Sequence, residues 1–203
     1  MRGENIMLKV SIIMTVYNGA EFIEKALNSI PERSDIEVIF VDDGSSDESY
    51  EIMKKYKKTL AKFLKNDTNM GIGYSRHKAL EYVNGEYVMF FDCDDTINGD
   101  SFNKAIDMLD GSDLVYFDLL QNDGVRLHLS PATKGIYPGS VKFMKKSYMD
   151  KFEYPEDKRY EDVKFNGMLH SIEHSERYTN LVLVNYNYPR YDSTSAKWNR
   201  GEL

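Results

Sequence analysis

Asp92, Cys93, Asp94 and Asp95 set three carboxylates almost side by side, directly after the apolar run Tyr87 to Phe91. Repulsion among such groups is costly unless a cation relieves it. Oxygen-only ligands suit a hard divalent ion, Mg2+ or Mn2+, which usually keeps positions open for water and substrate phosphates. A second polar knot, Asp42-Asp43-Gly44-Ser45-Ser46, follows the apolar run Ile36 to Val41. A third, Thr15, Tyr17 and Asn18, closes the β-branched run that begins at Leu8. Asp43 could accept a hydrogen bond from a base edge while Tyr17 stacks on the ring, a pairing suited to the imide N–H of uracil. Binding of a nucleoside diphosphate is the chemistry these residues suggest. Each knot alone is equally explained by turn-forming Asp, Asn, Gly and Ser. Three at equivalent places are harder to dismiss.

The knots meet only if the segments before them are neighbouring strands. Leu8 to Thr15 reads as a strand, and Phe22, Ile23, Ala26, Leu27 and Ile30 then recur at helical spacing until Pro31. Ile36 to Val41 is a second strand, and Ser46 can cap a helix carrying Ile52, Met53 and Tyr56. A third round runs through Ala61 to Lys65, a loop at Asn69 to Gly73 and a helix over Tyr74 to Val83, before a strand at Tyr87 to Phe91. This alternation predicts a parallel sheet with right-handed crossovers and helices on both faces. Ligands of such sheets lie beyond the carboxyl ends of the strands, where the knots fall. After Asp95 the alternation weakens. A helix is expected at Ser101 to Leu109, a strand at Leu114 to Leu119, and a hairpin at Asn122-Asp123-Gly124 leading into Val125 to Leu129. Helices at Ser140 to Met149 and Glu161 to Ile172 and a strand at Leu181 to Tyr188 complete the expected order.

The 203 residues, 41% of them apolar, are enough for one domain spanning 1–203 with a full core. With 26 basic against 33 acidic residues the formal charge is −7, which disfavours nucleic acid as a partner. Lys142, Lys145, Lys146 and Lys151 form the local stretch that could still face an anion. A lone cysteine forms no internal disulfide, and a reducing, cytoplasmic location is expected. The thiolate of Cys93 is disfavoured by its acidic neighbours, so it reads as a spacer. Val10 to Val16 is far shorter than the roughly 20 apolar residues of a transmembrane helix, so no transmembrane segment is expected. An oligomer is left open.

These motifs, in this order, resemble the nucleotide-binding domain of GT-A glycosyltransferases of family 2. Val10 to Asn18 and Val41 to Asp47 look like that family's first two strand ends. Asn69, Gly71, Ser75 and Arg76 resemble its Asn-x-Gly segment with the following Arg, and Phe91 to Asp95 looks like its DxD metal site. Tyr160-Glu161-Asp162-Val163 is similar to its Glu-Asp motif, in which the Asp is the catalytic base. Tyr186 to Ser195 looks like the tail that follows in many members.

The resemblance implies an α/β GT-A (Rossmann-like) fold with a mixed, mainly parallel sheet. Residues 1–100 would form the nucleotide-sugar-binding half and 101–203 a half bearing the acceptor side and the base. It implies an inverting transferase that moves a sugar from a nucleotide-sugar donor, UDP-linked by expectation, to a hydroxyl on a glycan, polysaccharide or cell-wall polymer. Donor-binding residues would be Thr15, Tyr17, Asn18, Asp42, Asp43, Gly71, Arg76, Asp92 and Asp94. Mn2+ or Mg2+ would sit on Asp92, Asp94 and Asp95, with Arg76 adding a donor at the leaving diphosphate and Asp162 beside Glu161 as general base. His77 stands where the family often has Asn, and the Gln-x-x-Arg-Trp motif of processive synthases is absent, so a soluble, non-processive enzyme is expected.

Other readings remain. Asp162 at a helix start has a plain capping role open to it. The same carboxylates could bind a nucleotide sugar without transfer. His170-Ser171-Ile172-Glu173-His174 fits the H-x-x-E-H pattern of some zinc hydrolases, with His170 and His174 as ligands and Glu173 as the proton-handling group. Gly71-Ile72-Gly73 starts a dinucleotide-type loop, but Arg76 occupies its third glycine position.

Overall fold

A computed structural model describes residues 7–133, 141–157 and 160–188. Strands β1 (Val10–Val16), β2 (Ile36–Asp42), β3 (Leu60–Lys65) and β4 (Tyr87–Phe90) pair in parallel in the order β3-β2-β1-β4. β2 and β4 are buried along their whole length and β1 everywhere but Thr15, which is why they read as continuous apolar runs. The edge strand β3 is largely accessible and carries Lys62 and Lys65, charges that discourage pairing with another sheet. Helices α1 (Ala20–Ser29), α2 (Ser49–Met53) and α3 (Ile72–Leu80) connect these strands. Strand order steps outward from β1 to β3 and then returns across to β4, so right-handed crossovers put α1 and α2 on one face and α3 on the other. The reversal opens a crevice at the β1–β4 boundary, the usual ligand site of such sheets.

The rest of the sheet is mixed. After β5 (Thr96–Ile97) comes α4 (Gly99–Asp107), whose cap Asn98 accepts a hydrogen bond from the Ser101 N–H at 3.1 Å. Then follow β6 (Leu114–Gln121), β7 (Arg126–Leu127), β8 (Lys142–Lys145), α5 (Lys146–Met149), α6 (Glu161–Leu169) and β9 (Glu176–Tyr186). β8 runs antiparallel between β4 and β6, β6 is parallel to β9, β5 closes the far side, and β7 forms the expected hairpin with β6. Phe143 of β8 packs on Phe102 of α4 and Phe117 of β6, with ring centroids 5.9 and 5.3 Å away.

Several expectations are corrected. Ser46 does not cap α2: the Asp47 carboxylate accepts from the Ser49 N–H and hydroxyl, at 3.0 and 2.5 Å, and the helix starts there. The segment expected to be helical up to Met149 begins as a strand. Val141 to Met144 is buried throughout and pairs on both sides, so only Lys146–Met149 is helical, and Ser140 lies outside the described residues. α6 stops at Leu169 rather than Ile172, and β9 starts at Glu176 rather than Leu181. β5 is too short to leave a pattern. The tail from residue 189 onward, with Trp198, lies outside the described residues.

Candidate active site

The loops after β1 and β2 are laced together by short polar side chains. Asn18, in a left-handed conformation (φ 48°), accepts from the Ser46 N–H at 2.9 Å, and its own N–H donates to the Ser45 hydroxyl at 2.9 Å. Gly19 and Ala20 donate to Ser49 Oγ and Asp47 Oδ2 at 2.8 and 3.0 Å. The Asp47 carboxylate thus faces the start of α1, where the helix dipole favours negative charge. Asn18 is therefore a loop builder. Tyr17 is 51% exposed, leaving its ring face available, and Thr15 is partly buried beside it.

Asp42 and Asp43 differ sharply. Asp43 is 3% exposed and receives Asn66 Nδ2 (2.8 Å) and Met70 N–H (2.9 Å) on Oδ1 and Gly71 N–H (2.8 Å) on Oδ2. The carboxylate expected to read a base edge is instead committed to the chain's own donors and fixes the loop from Asn66 to Gly71. Gly44 allows the two loops to touch: at φ +74°, a Cβ there would lie 2.4 Å from the Thr68 carbonyl carbon. Asp42 is fully buried, with its Oδ1 taking the Ser45 N–H at 3.3 Å. Among the described residues its Oδ2 has no hydrogen bond and only an ion pair of 3.3 Å with Lys65 Nζ.

Five residues beyond Gly71 along α3, Arg76 joins the two halves of the site. It is 4% exposed, lies over the Phe90 ring at 4.7 Å, and donates to Asp92 Oδ1 at 2.9 Å and Glu161 Oε1 at 3.0 Å, with Tyr154 Oη at 3.4 Å. Gly73 makes room for this: a Cβ would meet the carbonyl oxygens of Asp157 and Pro155 at 2.5 and 2.6 Å. Burial works against the guanidinium charge, but Tyr154, Asp92 and Glu161 outweigh it and hold Arg76 charged. Burial pushes the Glu161 carboxyl above its ordinary value, Arg76 pulls it back, and Asp162 and Asp92 push it up again. Arg76, expected to donate to a diphosphate, is thus spent on Asp92 and Glu161.

Asp92 is about a third exposed and Asp94 partly so, whereas Asp95 is buried. Asp95 Oδ1 accepts the Asn187 N–H at 2.8 Å and so fastens the end of β9, a structural task the metal-ligand expectation did not foresee. The local field is strongly negative. Burial first, and then Asp94, Asp92 and Asp95, raise the Cys93 thiol, and the same three carboxylates reinforce burial in raising Tyr186. An all-oxygen set in such a field fits a hard divalent cation, with Asp92 and Asp94 as the accessible donors.

Asp162 stands next to Glu161 in the first turn of α6, partly exposed, its Oδ1 accepting the Val163 N–H at 2.8 Å. Tyr160 at the cap is left-handed (φ 59°) and provides no side-chain cap. Asp162 also acts on a residue that the sequence did not single out as buried. Lys142 on β8 is 1% exposed, and its Nζ donates to Asn166 Oδ1 at 2.9 Å. Burial lowers this amine to about 7, opposed by the charges of Asp162 and Glu176. Its place inside the otherwise apolar run Val141-Lys142-Phe143-Met144 was the available signal. The suggested basic stretch dissolves accordingly: Lys142 is internal, Lys145 binds the Gly111 carbonyl at 3.0 Å, and Lys146 pairs with Asp150.

The H-x-x-E-H expectation fails on geometry. α6 ends before His170, so the five residues do not share a helix face, and Glu173 is exposed. The carboxylate beside His174 belongs to Glu176, with Oε1 2.7 Å from Nε2.

Fold and rim together define an α/β domain of GT-A type, with acidic strand ends gathered around α3. The chain belongs to glycosyl transferase family 2, whose profile matches residues 11–174. Over 110 residues it is 36% identical to the poly(ribitol-phosphate) β-N-acetylglucosaminyltransferase TarS of Staphylococcus aureus, covering 51% of this chain and 19% of TarS. It is 27% identical to an uncharacterized glycosyltransferase, the MG060 homolog of Mycoplasma pneumoniae, over 95% of this chain and 73% of that protein. The crystal structure of S. aureus TarS 1–349 in complex with UDP-GlcNAc superposes with TM-score 0.81 at 24% identity, over 93% of this chain and 61% of the other. A Pyrobaculum calidifontis mannosyltransferase in complex with GDP-Man and Mn2+ gives TM-score 0.77 at 18% identity, over 95% and 60% of the two chains. The matched segment, about half of this chain, spans about a fifth of the full length of TarS, and the superposed chain covers 37% of the TarS crystal structure. No described helix is long and apolar enough to cross a membrane.

Proposed function

We propose that this chain is the catalytic domain of a glycosyltransferase that moves a sugar from a UDP-linked donor to an acceptor hydroxyl, with inversion, in the synthesis of a glycan or cell-wall polymer. The observation that carries this is Arg76. One buried guanidinium ties Asp92, at the end of β4, to Glu161, at the start of α6, so the diphosphate-side carboxylates and the acid pair face a common rim. Family membership and the UDP-GlcNAc complex of TarS support the donor class.

The chain's own residues divide the work. Tyr17 stacks on the base, and Asp42, whose Oδ2 is held only by the Lys65 ion pair, rather than Asp43, is the carboxylate near it. Asp43 keeps the loop from Asn66 to Gly71 in place, so the Gly71 region can approach the donor backbone. Asp92 and Asp94 would hold Mn2+ or Mg2+, which offsets negative charge on the leaving diphosphate when bound. Asp162, partly exposed and adjacent to the buried Glu161, takes the acceptor proton as that oxygen attacks the anomeric carbon from the face opposite the diphosphate. Arg76 positions Asp92 and the start of α6 and does not itself touch substrate.

A thermal-shift panel of UDP, GDP, UDP-GlcNAc and UDP-glucose, with and without Mn2+, tests the donor class. A UDP-selective, Mn2+-dependent rise in Tm is expected, together with donor turnover that stops on adding chelator. Equal responses to UDP and GDP would remove the UDP assignment. Binding without turnover across an acceptor panel would favour a nucleotide-sugar-binding protein.

A further inference from the structure

Where α6 ends, the chain turns into β9, and one ligand atom each from His170, His174 and Glu176 lies within 4.8 Å of the other two, all three residues partly buried. Glu176 Oε1 is 2.7 Å from His174 Nε2 and 3.5 Å from His170 Nε2. The other nitrogen of each ring faces a backbone carbonyl: His170 Nδ1 is 2.6 Å from Asn166 O, and His174 Nδ1 is 2.8 Å from Ile172 O. A carbonyl only accepts, so both Nδ1 atoms carry protons, and a neutral ring turns its Nε2 lone pair toward the cluster. Metal-binding histidines are usually held in this way.

His174 sharpens the point. Its Nε2 lone pair meets a carboxylate oxygen, so two acceptors face each other, and the gap must be filled by a proton or a metal ion. The carboxylate is also oriented from behind, because Tyr178 Oη donates to Glu176 Oε2 at 2.7 Å. Tyr178 is in turn stacked on Tyr116 at 4.9 Å. The Tyr116 hydroxyl, 2.8 Å from His170 Nε2, holds that lone pair by a hydrogen bond that a coordinate bond would replace.

We propose that His170, His174 and Glu176 bind a divalent transition-metal ion, with zinc the preferred occupant, and that the ion clips the end of α6 to the start of β9. Two imidazoles and one carboxylate form a borderline N/O set suited to zinc rather than to Mg2+. A tetrahedral ion with bonds of about 2.0–2.1 Å separates its donors by about 3.3 Å. The His170–Glu176 spacing already meets this, and the His174–Glu176 contact opens by about 0.6 Å on binding. The site is separate from Asp92 and Asp94. Along α6 at about 1.5 Å per residue it lies about 12 Å from Asp162, so its role is to hold α6 in place, with no part in hydrolysis.

The test uses the full chain, free of any affinity tag and stripped with chelator, titrated with Co2+ and then Zn2+. One Co2+ per chain with visible bands of a four- or five-coordinate nitrogen-containing site is expected, displaced by one Zn2+, with a rise in Tm. His174→Gln and Glu176→Gln abolish the bands and weaken Zn2+ by at least about 100-fold. Tyr178→Phe keeps all three ligands and the fold but weakens it by about 10-fold, the scale of an outer-shell change. Asp94→Asn leaves the bands intact. Absence of the bands means that a proton alone joins His174 to Glu176 and overturns the proposal. So does their survival in His174→Gln, or their loss in Asp94→Asn.

Discussion

The two halves of the sheet place their polar groups differently. From β1 to β4, charged and polar side chains collect at strand ends, loops and the exposed edge strand β3, while the interiors of the buried strands β1, β2 and β4 are apolar apart from Ser11 and Glu37, which bond to each other at 2.5 Å. From β6 to β9, charges are buried within the strands. Asp118 in β6 is inaccessible and receives Arg126 Nε, His128 Nδ1 and the Leu129 N–H at 2.7, 3.0 and 2.9 Å, and Lys142 in β8 bonds Asn166 of α6. A parallel layer presents its chemistry on a rim, whereas the mixed layer buries polar groups, one around Asp118 that ties β6 to the segment 126–129 and one, Lys142–Asn166, that holds α6 against the sheet. Arg76 is where the two schemes meet, since it reaches from α3 to Asp92 on one side and Glu161 on the other.

Breaking that junction should have the largest effect. Arg76→Met leaves Asp92 and Glu161 without their shared cation, and removing one partner of a buried pair costs about 3–5 kcal/mol. Arg33, about a fifth exposed and paired with Asp35 and Asp107, is the control, and Arg33→Met should cost about 1 kcal/mol or less. Urea unfolding of both variants measures the difference. Equal costs would mean that apolar packing alone joins the halves. Asp162→Asn should leave stability and the donor-induced Tm shift unchanged while lowering kcat by about 10²- to 10⁴-fold. Full turnover in that variant would exclude Asp162 as the base.

The first half was legible because its strands are buried on both faces, so apolar runs mark strands and polar knots mark their ends. That logic placed Asp42, Asp43, Asp92 and Asp94 at strand ends. It could not divide labour within a knot, since Asp42 and Asp43 look alike until Asn66, Met70 and Gly71 are seen converging on one of them. Nor could it see that Arg76 faces inward, because the partner that decides this is 85 residues away. In the second half a buried lysine in β8 looked like part of a basic surface, and β5 was too short to show periodicity. The role proposed for Asp162 comes only from the resemblance to the family's Glu-Asp motif, since as a lone helix-start carboxylate it is indistinguishable from a cap.

The contrast between neighbouring aspartates sharpens the view of the parallel half. Asp43→Asn turns an amide NH2 toward three donors that now share a carboxylate, so the loop from Asn66 to Gly71 should loosen at a cost of about 1–3 kcal/mol. Asp42→Asn should cost less stability, because among the described residues its Oδ2 has no hydrogen bond to lose, yet reduce nucleotide affinity more. Calorimetric binding of UDP and thermal melts of the two variants separate these outcomes, and the reverse ranking would return base recognition to Asp43.

The smallest expected effect belongs to the mixed half. Burial holds the Lys142 amine at about 7 in the folded chain, against an ordinary value of 10.5. Between these values the unfolded chain carries a proton that the folded chain lacks, so this group makes stability rise with pH. Below about pH 7 both states are protonated, and the penalty is full and constant. Lys142→Met keeps the stem's packing, removes the charge, and leaves Asn166, which is partly exposed, to bond water. It should therefore stabilise the fold at pH 7 by about 1 kcal/mol, with the advantage shrinking as pH rises toward 10. Melts of both proteins at pH 7, 8.5 and 10 read this directly. Parallel curves would show that Asp162 and Glu176 fully compensate the buried charge, and that the mixed half tolerates internal ions as readily as the parallel half tolerates them on its rim.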